Sequence, residues 1–226
     1  DSNDAVHWLA AVVSDVSDGI QILNMSDARN VIHPLANYTA SGLGNVGEPS
    51  INLKSVMKDG RGELDGAYDL ALFDNTTAIG DAAAKTTGKL AIVTSALGDS
   101  VQIVSLRDPT QILHLGDNHT DGTGGAYPNL VLDGAAGVDT YTIDSVPYAI
   151  VTAFVEDGFQ LFDLRDPLRS NACGYSDAAG DVLVCLGSDG LRPPGKYANA
   201  TDGNNGFNLL DGAIDVDTYT DGSSTY

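Results

Sequence analysis

Positive charge is the scarcest feature of this chain. Eleven lysines and arginines stand against 31 aspartates and glutamates, a formal net charge of −20. Nucleic-acid phosphates and anionic lipid surfaces are held by lysine and arginine, so neither is expected as a partner. Glutamate is also rare: Glu48, Glu63 and Glu156 are all there are, and the rest of the acids are aspartate. Glutamate favours helix interiors, whereas aspartate suits caps and turns. The bias argues for strands joined by many turns, with little helix. No apolar run approaches the ~18 residues of a membrane span, so no membrane insertion is expected. No signal peptide is visible, and targeting has no direct mark in the sequence. The four histidines, His7, His33, His114 and His119, are dispersed without metal-ligand spacing. A Gly-X-Ser-X-Gly elbow and a phosphate loop are both missing. No catalytic constellation is left, and a non-enzyme is expected.

What the chain does have is repetition. Residues 149–167 read as a hairpin: apolar, β-branched Ala149 to Val155, the turn signal Asp157-Gly158, then Phe159, Leu161 and Leu164 near a period of two. Arg165-Asp166-Pro167 stops the second strand, because proline cannot donate to a ladder. The same unit occurs at Leu90–Thr94 with Asp99–Pro109, and at Leu9–Val13 with Asp18–Leu23. Between the hairpins stands a second element: Leu64-Asp65-Gly66-Ala67, Leu132-Asp133-Gly134-Ala135 and Leu210-Asp211-Gly212-Ala213. The last two run into Val138-Asp139-Thr140-Tyr141 and Val216-Asp217-Thr218-Tyr219. A third is a polar corner at Asn118–Gly122 and Asn199–Gly203, with a weaker copy at Asn37–Gly42. The copies are unequally spaced, as expected of a constant unit with variable surface loops. Repeats of this size made of short strands point to propeller blades.

The pattern at 148–167, Tyr-Ala-Ile-Val, Asp-Gly-Phe-Gln-Leu-Phe-Asp-Leu and Asp-Pro, resembles the LVIVD-type β-propeller repeat of extracellular and cell-surface proteins. The Asp-Gly-Ala…Val-Asp-Thr-Tyr-Thr stretch is similar to the extended form of that repeat in secreted or surface proteins of marine microbes. The resemblance covers most of the chain in three copies and implies a propeller fold outside the cell. It brings no catalytic motif. Ser100 departs from it at the turn glycine, and Ala28 at the proline of the first copy.

The expected fold class is therefore all-β: blades of four-stranded antiparallel sheet, about three in this chain. Residues 1–63 hold a first blade and a connecting loop, 64–131 a second, 132–209 a third with an insertion, and 210–226 a lone first strand. The second blade is expected to have strands at 66–73, 89–96, 100–107 and 111–116. The third has them at 134–142, 147–155, 158–164 and somewhere in 170–187. The first has 7–14, 19–25 and 30–36, without its first strand. A spare first strand at 212–220 complements that deficit. Three explanations stand: a piece of a longer propeller, a dimeric six-bladed ring, or donation of 212–226 to another copy's open edge. Donation that does not close makes a filament.

Candidate sites follow from the loops. Cys173 and Cys185 fall in one insertion and are expected to form a disulfide; closing a loop of about a dozen residues contributes roughly 3 kcal/mol. Sequons at Asn24, Asn37, Asn75, Asn118 and Asn199 suggest a glycosylated extracellular protein with glycans at its surface. Asp117, Asn118, Thr120 and Asp121 resemble an oxygen-rich calcium corner, with Asp215, Asp217 and Asp221 as a second. Ca2+ is the one cofactor such corners would take. Aspartates satisfying turn amides account for the same residues. Asp69, Asp139 and Asp217 could also surround a shared axis. The function expected is an extracellular structural or adhesion protein whose partners are further copies or further blades. The alternative is a metal-dependent propeller hydrolase or lactonase.

Overall fold

Short runs rich in β-branched and apolar residues, bounded by glycine and aspartate turns, form the strands, and the described residues are all-β. The computed structural model describes residues 9–16, 18–24, 33–39, 64–76, 87–108, 111–120, 130–143, 145–165, 171–172, 175–176, 182–183, 199–201, 209–220 and 222. Among them there is no helix, and so none long and apolar enough to cross a membrane.

The first sheet is β1 (Leu9–Ser14), β2 (Gly19–Asn24) and β3 (His33–Thr39), in that spatial order. The second is β4 (Ala67–Asn75), β5 (Gly88–Ser95), β6 (Ser100–Asp108) and β7 (Gln111–Thr120), also in chain order. The third places β8 (Ala135–Ile143), β9 (Val146–Ala153) and β10 (Gly158–Asp163) side by side. Its outer position is shared by β11 (Asn171–Ala172) and β14 (Asn199–Thr201), both paired with β10. A separate pair joins β12 (Tyr175–Ser176) to β13 (Val182–Leu183). Every pairing is antiparallel, and the four-stranded sheet is a meander, the arrangement of a propeller blade.

The outer strand differs from expectation in a way that unifies the repeats. Thr39 faces Gly19, Thr120 faces Ser100 and Thr201 faces Gly158. The described parts of the three polar corners, 37–39, 118–120 and 199–201, are thus the ends of the outer strands, and the rest of each corner lies outside the described residues. In the third blade the expected window of 170–187 holds β11 on one half of β10, while the part that faces Gly158 is β14 at 199–201, beyond that window. The insertion carrying Cys173 and Cys185 splits the outer strand, leaving β11 on the other half of β10.

The hairpin turns also differ in detail. A two-residue Asp-Gly turn is not formed. The chain turns over four residues, 96–99 and 154–157, and the aspartate at the end takes the left-handed conformation. The φ values are 49° at Asp18, 48° at Asp99 and 53° at Asp157. Aspartate tolerates this region better than most residues. The glycine after it already belongs to the strand and has no positive φ, so Ser100 can replace it.

The core lies between sheets. Ala71, Phe73, Leu90 and Ile92 from one face of the second blade pack with Ala135, Val138, Ala149, Val151 and Phe162 of the third. The opposite face of the second blade, with Ala91, Val93 and Val104, packs on Ile20 and Ile22 of the first. The period of two sends alternate residues of β5 to different neighbours, so that strand is buried on both sides. The far face of the third blade carries a smaller cluster around Val146 and Tyr148. There Tyr141 stacks on Tyr148, with ring centroids 5.5 Å apart. Burial, reinforced by Tyr148 and Asp163, pushes the Tyr141 hydroxyl up to about 12 from an ordinary 10.0. The folded state therefore resists phenolate formation. That contribution is complete below pH 10.0 and is lost as pH climbs toward about 12. Phenolate absorbance should show one tyrosine titrating late in the native chain, and Tyr141→Phe should remove that step and flatten the alkaline fall in stability.

Candidate interaction site: the joints between blades

The aspartates singled out by composition do repeated work where one blade meets the next. The left-handed turn aspartate of each hairpin accepts a hydrogen bond from the glycine N–H of the following Leu-Asp-Gly-Ala turn. Asp18 Oδ1 takes Gly66 N at 2.9 Å, Asp99 Oδ1 takes Gly134 N at 2.9 Å, and Asp157 Oδ1 takes Gly212 N at 2.8 Å. The receiving turn is built the same way each time, with the alanine N–H closing onto the leucine carbonyl. Its glycine has φ of 68° at Gly66, 69° at Gly134 and 67° at Gly212. That conformation aims the glycine N–H at the neighbouring blade.

A second fastening joins the innermost strands. Register shifts between Ala67 and Leu70 in β4, and between Ala135 and Val138 in β8, mark a bulge at one repeat position. The bulged N–H groups of Asp69 and Gly137 are taken by the hydroxyls of Thr94 (3.0 Å) and Thr152 (2.9 Å) on the adjacent strand. Thr94 also donates to the Ala136 carbonyl of the next blade. Asp69 Oδ2 then accepts from Val138 N at 2.9 Å across the joint, while Oδ1 accepts from Leu70 N at 2.8 Å. Asp139, two places further along the repeat than Asp69, makes a similar link one joint later. Its Oδ2 accepts from Thr218 N and Thr218 Oγ1, both at 2.6 Å, and its Oδ1 from Thr140 N at 2.7 Å.

These bonds seat residues 209–220 against the third blade, as β8 is seated against the second. Residues 213–219 are in no ladder among the described residues, so the strand expected at 212–220 is not formed beyond a bridge at Thr220. The backbone of 214–215 runs so close to Gly137 that a Cβ there would lie 2.5 Å from Asp215 Cα.

The site residues expected from sequence are distributed as follows. Asp215 caps its own strand, Oδ1 accepting from Val216 N at 2.8 Å, and both Asp215 and Asp217 are exposed. Asp69 and Asp139 meet backbone N–H groups of different joints rather than one another. Asp117 lies in β7, and Asp121 and Asp221 lie outside the described residues. Among the described residues no group of three or more His, Cys, Asp or Glu is gathered. Cys173 and Cys185 lie outside the described residues, and so does the bond expected between them. Asn37, Asn118 and Asn199 sit on the outer strands β3, β7 and β14, and Asn24 ends β2. Asn75, at the end of β4, has a buried side chain. Sequence reading missed the part played by Asp18, Asp99 and Asp157. Their signal was present: all three hairpins keep the aspartate, even where Ser100 replaces the glycine after it.

Asp99→Ala removes the acceptor and leaves alanine in a left-handed conformation. A hydrogen bond to a charged group is worth about 1.5–3 kcal/mol and the backbone adds about 1. A loss of about 3 kcal/mol in denaturant unfolding is expected. Asp99→Asn keeps both an oxygen acceptor and a side chain at ease with positive φ, and should cost under about 1 kcal/mol. Equal costs for the two would show that the bond to Gly134 contributes nothing.

Compared with protein-family models and with curated proteins, the chain matches none.

Proposed function

We propose that this chain is a non-enzymatic structural or adhesion protein of the cell exterior, built from propeller blades that associate head to tail through sheet edges. The observation that carries this reading is the joint. It is formed between the first and second blades and between the second and third, and the strand of 209–220 begins it once more. A joint of this kind takes as its partner a further copy of the chain or a further blade. The acidic surface, the sequon positions on the outer strands and the resemblance to the LVIVD-type repeat support an exterior location and glycan decoration. Ca2+ would have to be held by Asp117 and Asp121, or by Asp215 and Asp217.

The alternative, a metal-dependent hydrolase, needs inner-strand carboxylates turned toward an ion. Asp69 and Asp139 spend both oxygens on backbone N–H groups instead. Sedimentation of the 23.4 kDa chain over a range of concentrations tests the proposal. Association that grows with concentration, with particles longer than one chain by electron microscopy, is expected. Repeating the series with a calcium chelator separates edge pairing, which persists, from ion bridging, which does not. A monomer at every concentration, combined with ester or lactone hydrolysis abolished by the chelator, would overturn the reading in favour of the enzyme.

A further inference from the structure

We infer that residues 209–220 of one copy complete the first blade of a second copy by pairing with its β1, in the register that β4 keeps with β5 and β8 with β9. This rests on the assembly reading above and names its joint residue by residue. Three independent features of the repeat lead to the same alignment.

The first is the ladder. Ser95 faces Ser100, Ala153 faces Gly158 and Ser14 faces Gly19, so Ser14 occupies the place of Ser95 and Ala153. The innermost strands keep one register on those partners: Ala67 with Ser95, Leu70 with Val93 and Leu72 with Ala91 in the second blade. Ala135 with Ala153, Val138 with Val151 and Thr140 with Ala149 repeat it in the third. The terminal strand then sets Ala213 opposite Ser14, Val216 opposite Val12, Thr218 opposite Ala10 and Tyr219 opposite Leu9. Among the described residues β1 is the sheet edge, with no strand on that side.

The second is burial at equivalent positions. Ala136 and Val138 of β8 are covered by the second blade, at 2% and 5% exposure. Of their counterparts on β4, which face the first blade, Tyr68 is 49% exposed while Leu70 is partly buried against that blade; Leu72, two positions beyond Leu70, is again 46% exposed. Leu9 of β1, on the face that Ala11 and Val13 turn toward the second blade, is exposed as well, and β1 packs against β4. An apolar slot is thus bounded by β1 and β4, where an innermost strand belongs. The strand of 209–220 carries the complementary apolar surface, with Leu209, Ile214 and Tyr219 exposed.

The third is the pair of anchoring turns. A Cβ on Gly66 would lie 2.7 Å from Leu97, and one on Gly134 would lie 2.7 Å from Val155. Gly212 has only Phe154 near it, at 3.7 Å. The residue matching Leu97 and Val155 in the first hairpin is Val16, which is 87% exposed. Likewise Gln160 Oε1 accepts from Val131 N, just before the Leu-Asp-Gly-Ala turn, at 3.4 Å. Gln21 and Leu209 are the matching residues of the first hairpin and the terminal strand. In the joint, Val16 of the second copy covers Gly212 and Gln21 Oε1 receives Leu209 N.

One fastening is lost between copies. Val13 stands where Thr94 and Thr152 accept the bulged N–H, so the joint between copies is weaker than those within a chain and is reversible.

The test mixes full-length copies carrying Val12→Cys with copies carrying Val216→Cys under mild oxidation. Linked peptides are read by mass spectrometry, which also separates them from links through Cys173 and Cys185. Position 12 should link to position 216 at least tenfold more than to position 217 in a Val12→Cys and Asp217→Cys mixture, because neighbouring residues on a strand face opposite sides. Val12→Glu, at an exposed edge position, should weaken association at least tenfold while leaving the monomer folded. Association without the 12–216 preference, or unaffected by Val12→Glu, would overturn this joint and leave the assembly reading standing. A strictly monomeric wild-type chain would overturn both.

Discussion

Replacing Phe162 by alanine should cost about 4 kcal/mol, enough to remove a large share of a typical domain's 5–15 kcal/mol of stability. Phe162 has no exposed surface and belongs to the cluster shared by the second and third blades. Its ring touches a core made by two sheets, so truncation leaves a cavity that neither sheet can close alone. Denaturant unfolding followed by far-ultraviolet circular dichroism reads the loss as a lower midpoint. Phe162→Leu preserves most of the volume and should cost less than about 1.5 kcal/mol. A loss below about 1 kcal/mol for the alanine variant would mean that the sheets are not held together through this cluster.

Gly134→Ala is expected to cost about 3 kcal/mol, from two sources that can be separated. A residue other than glycine held at φ of 69° loses about 1–2 kcal/mol. The added methyl would also lie 2.7 Å from Val155 Cγ2 and 3.1 Å from Val155 N, and overpacking of this kind costs about 1–3 kcal/mol. Gly212 has nearly the same backbone, with φ of 67°, but no such neighbour. Gly212→Ala in the isolated chain should therefore show only the conformational part, about 1–2 kcal/mol. The difference between the two variants measures the close approach of the hairpin. Equal costs would show that backbone conformation alone is responsible. In an assembled sample, Gly212→Ala should behave like Gly134→Ala, because Val16 of a second copy then fills the space.

Much of this architecture was legible in the residues. The apolar, β-branched run of Ala149 to Val155 and the near period of two in Phe159, Leu161 and Leu164 located the strands, and Leu64-Asp65-Gly66-Ala67 and Leu132-Asp133-Gly134-Ala135 located the starts of β4 and β8 to within a residue or two. The failures have physical causes. Asp157-Gly158 reads as a two-residue turn because the left-handed position is credited to glycine, whereas here the aspartate takes it and thereby frees its carboxylate for the next blade. Asn199 to Thr201 reads as a loop because a strand of three residues, separated from β11 by an insertion, has no periodicity to detect. The carboxylates of Asp69 and Asp139 could be counted in the sequence, but their partners lie 69 and 79 residues away. No local pattern reports contacts of that separation. What the sequence did hold was the recurrence of Asp18, Asp99 and Asp157, and of the glycines they meet, at matching repeat positions.

The divided outer strand of the third blade has a practical consequence. Phe162 and Asp163 keep their pairing with Ala172 and Asn171, and Gly158 to Gln160 keep theirs with Thr201, Ala200 and Asn199. Both halves hold although the segment between them is long in sequence. A foreign peptide spliced between 172 and 199 is therefore expected to leave both pairings in place, along with the joints made by Asp18 and Asp99.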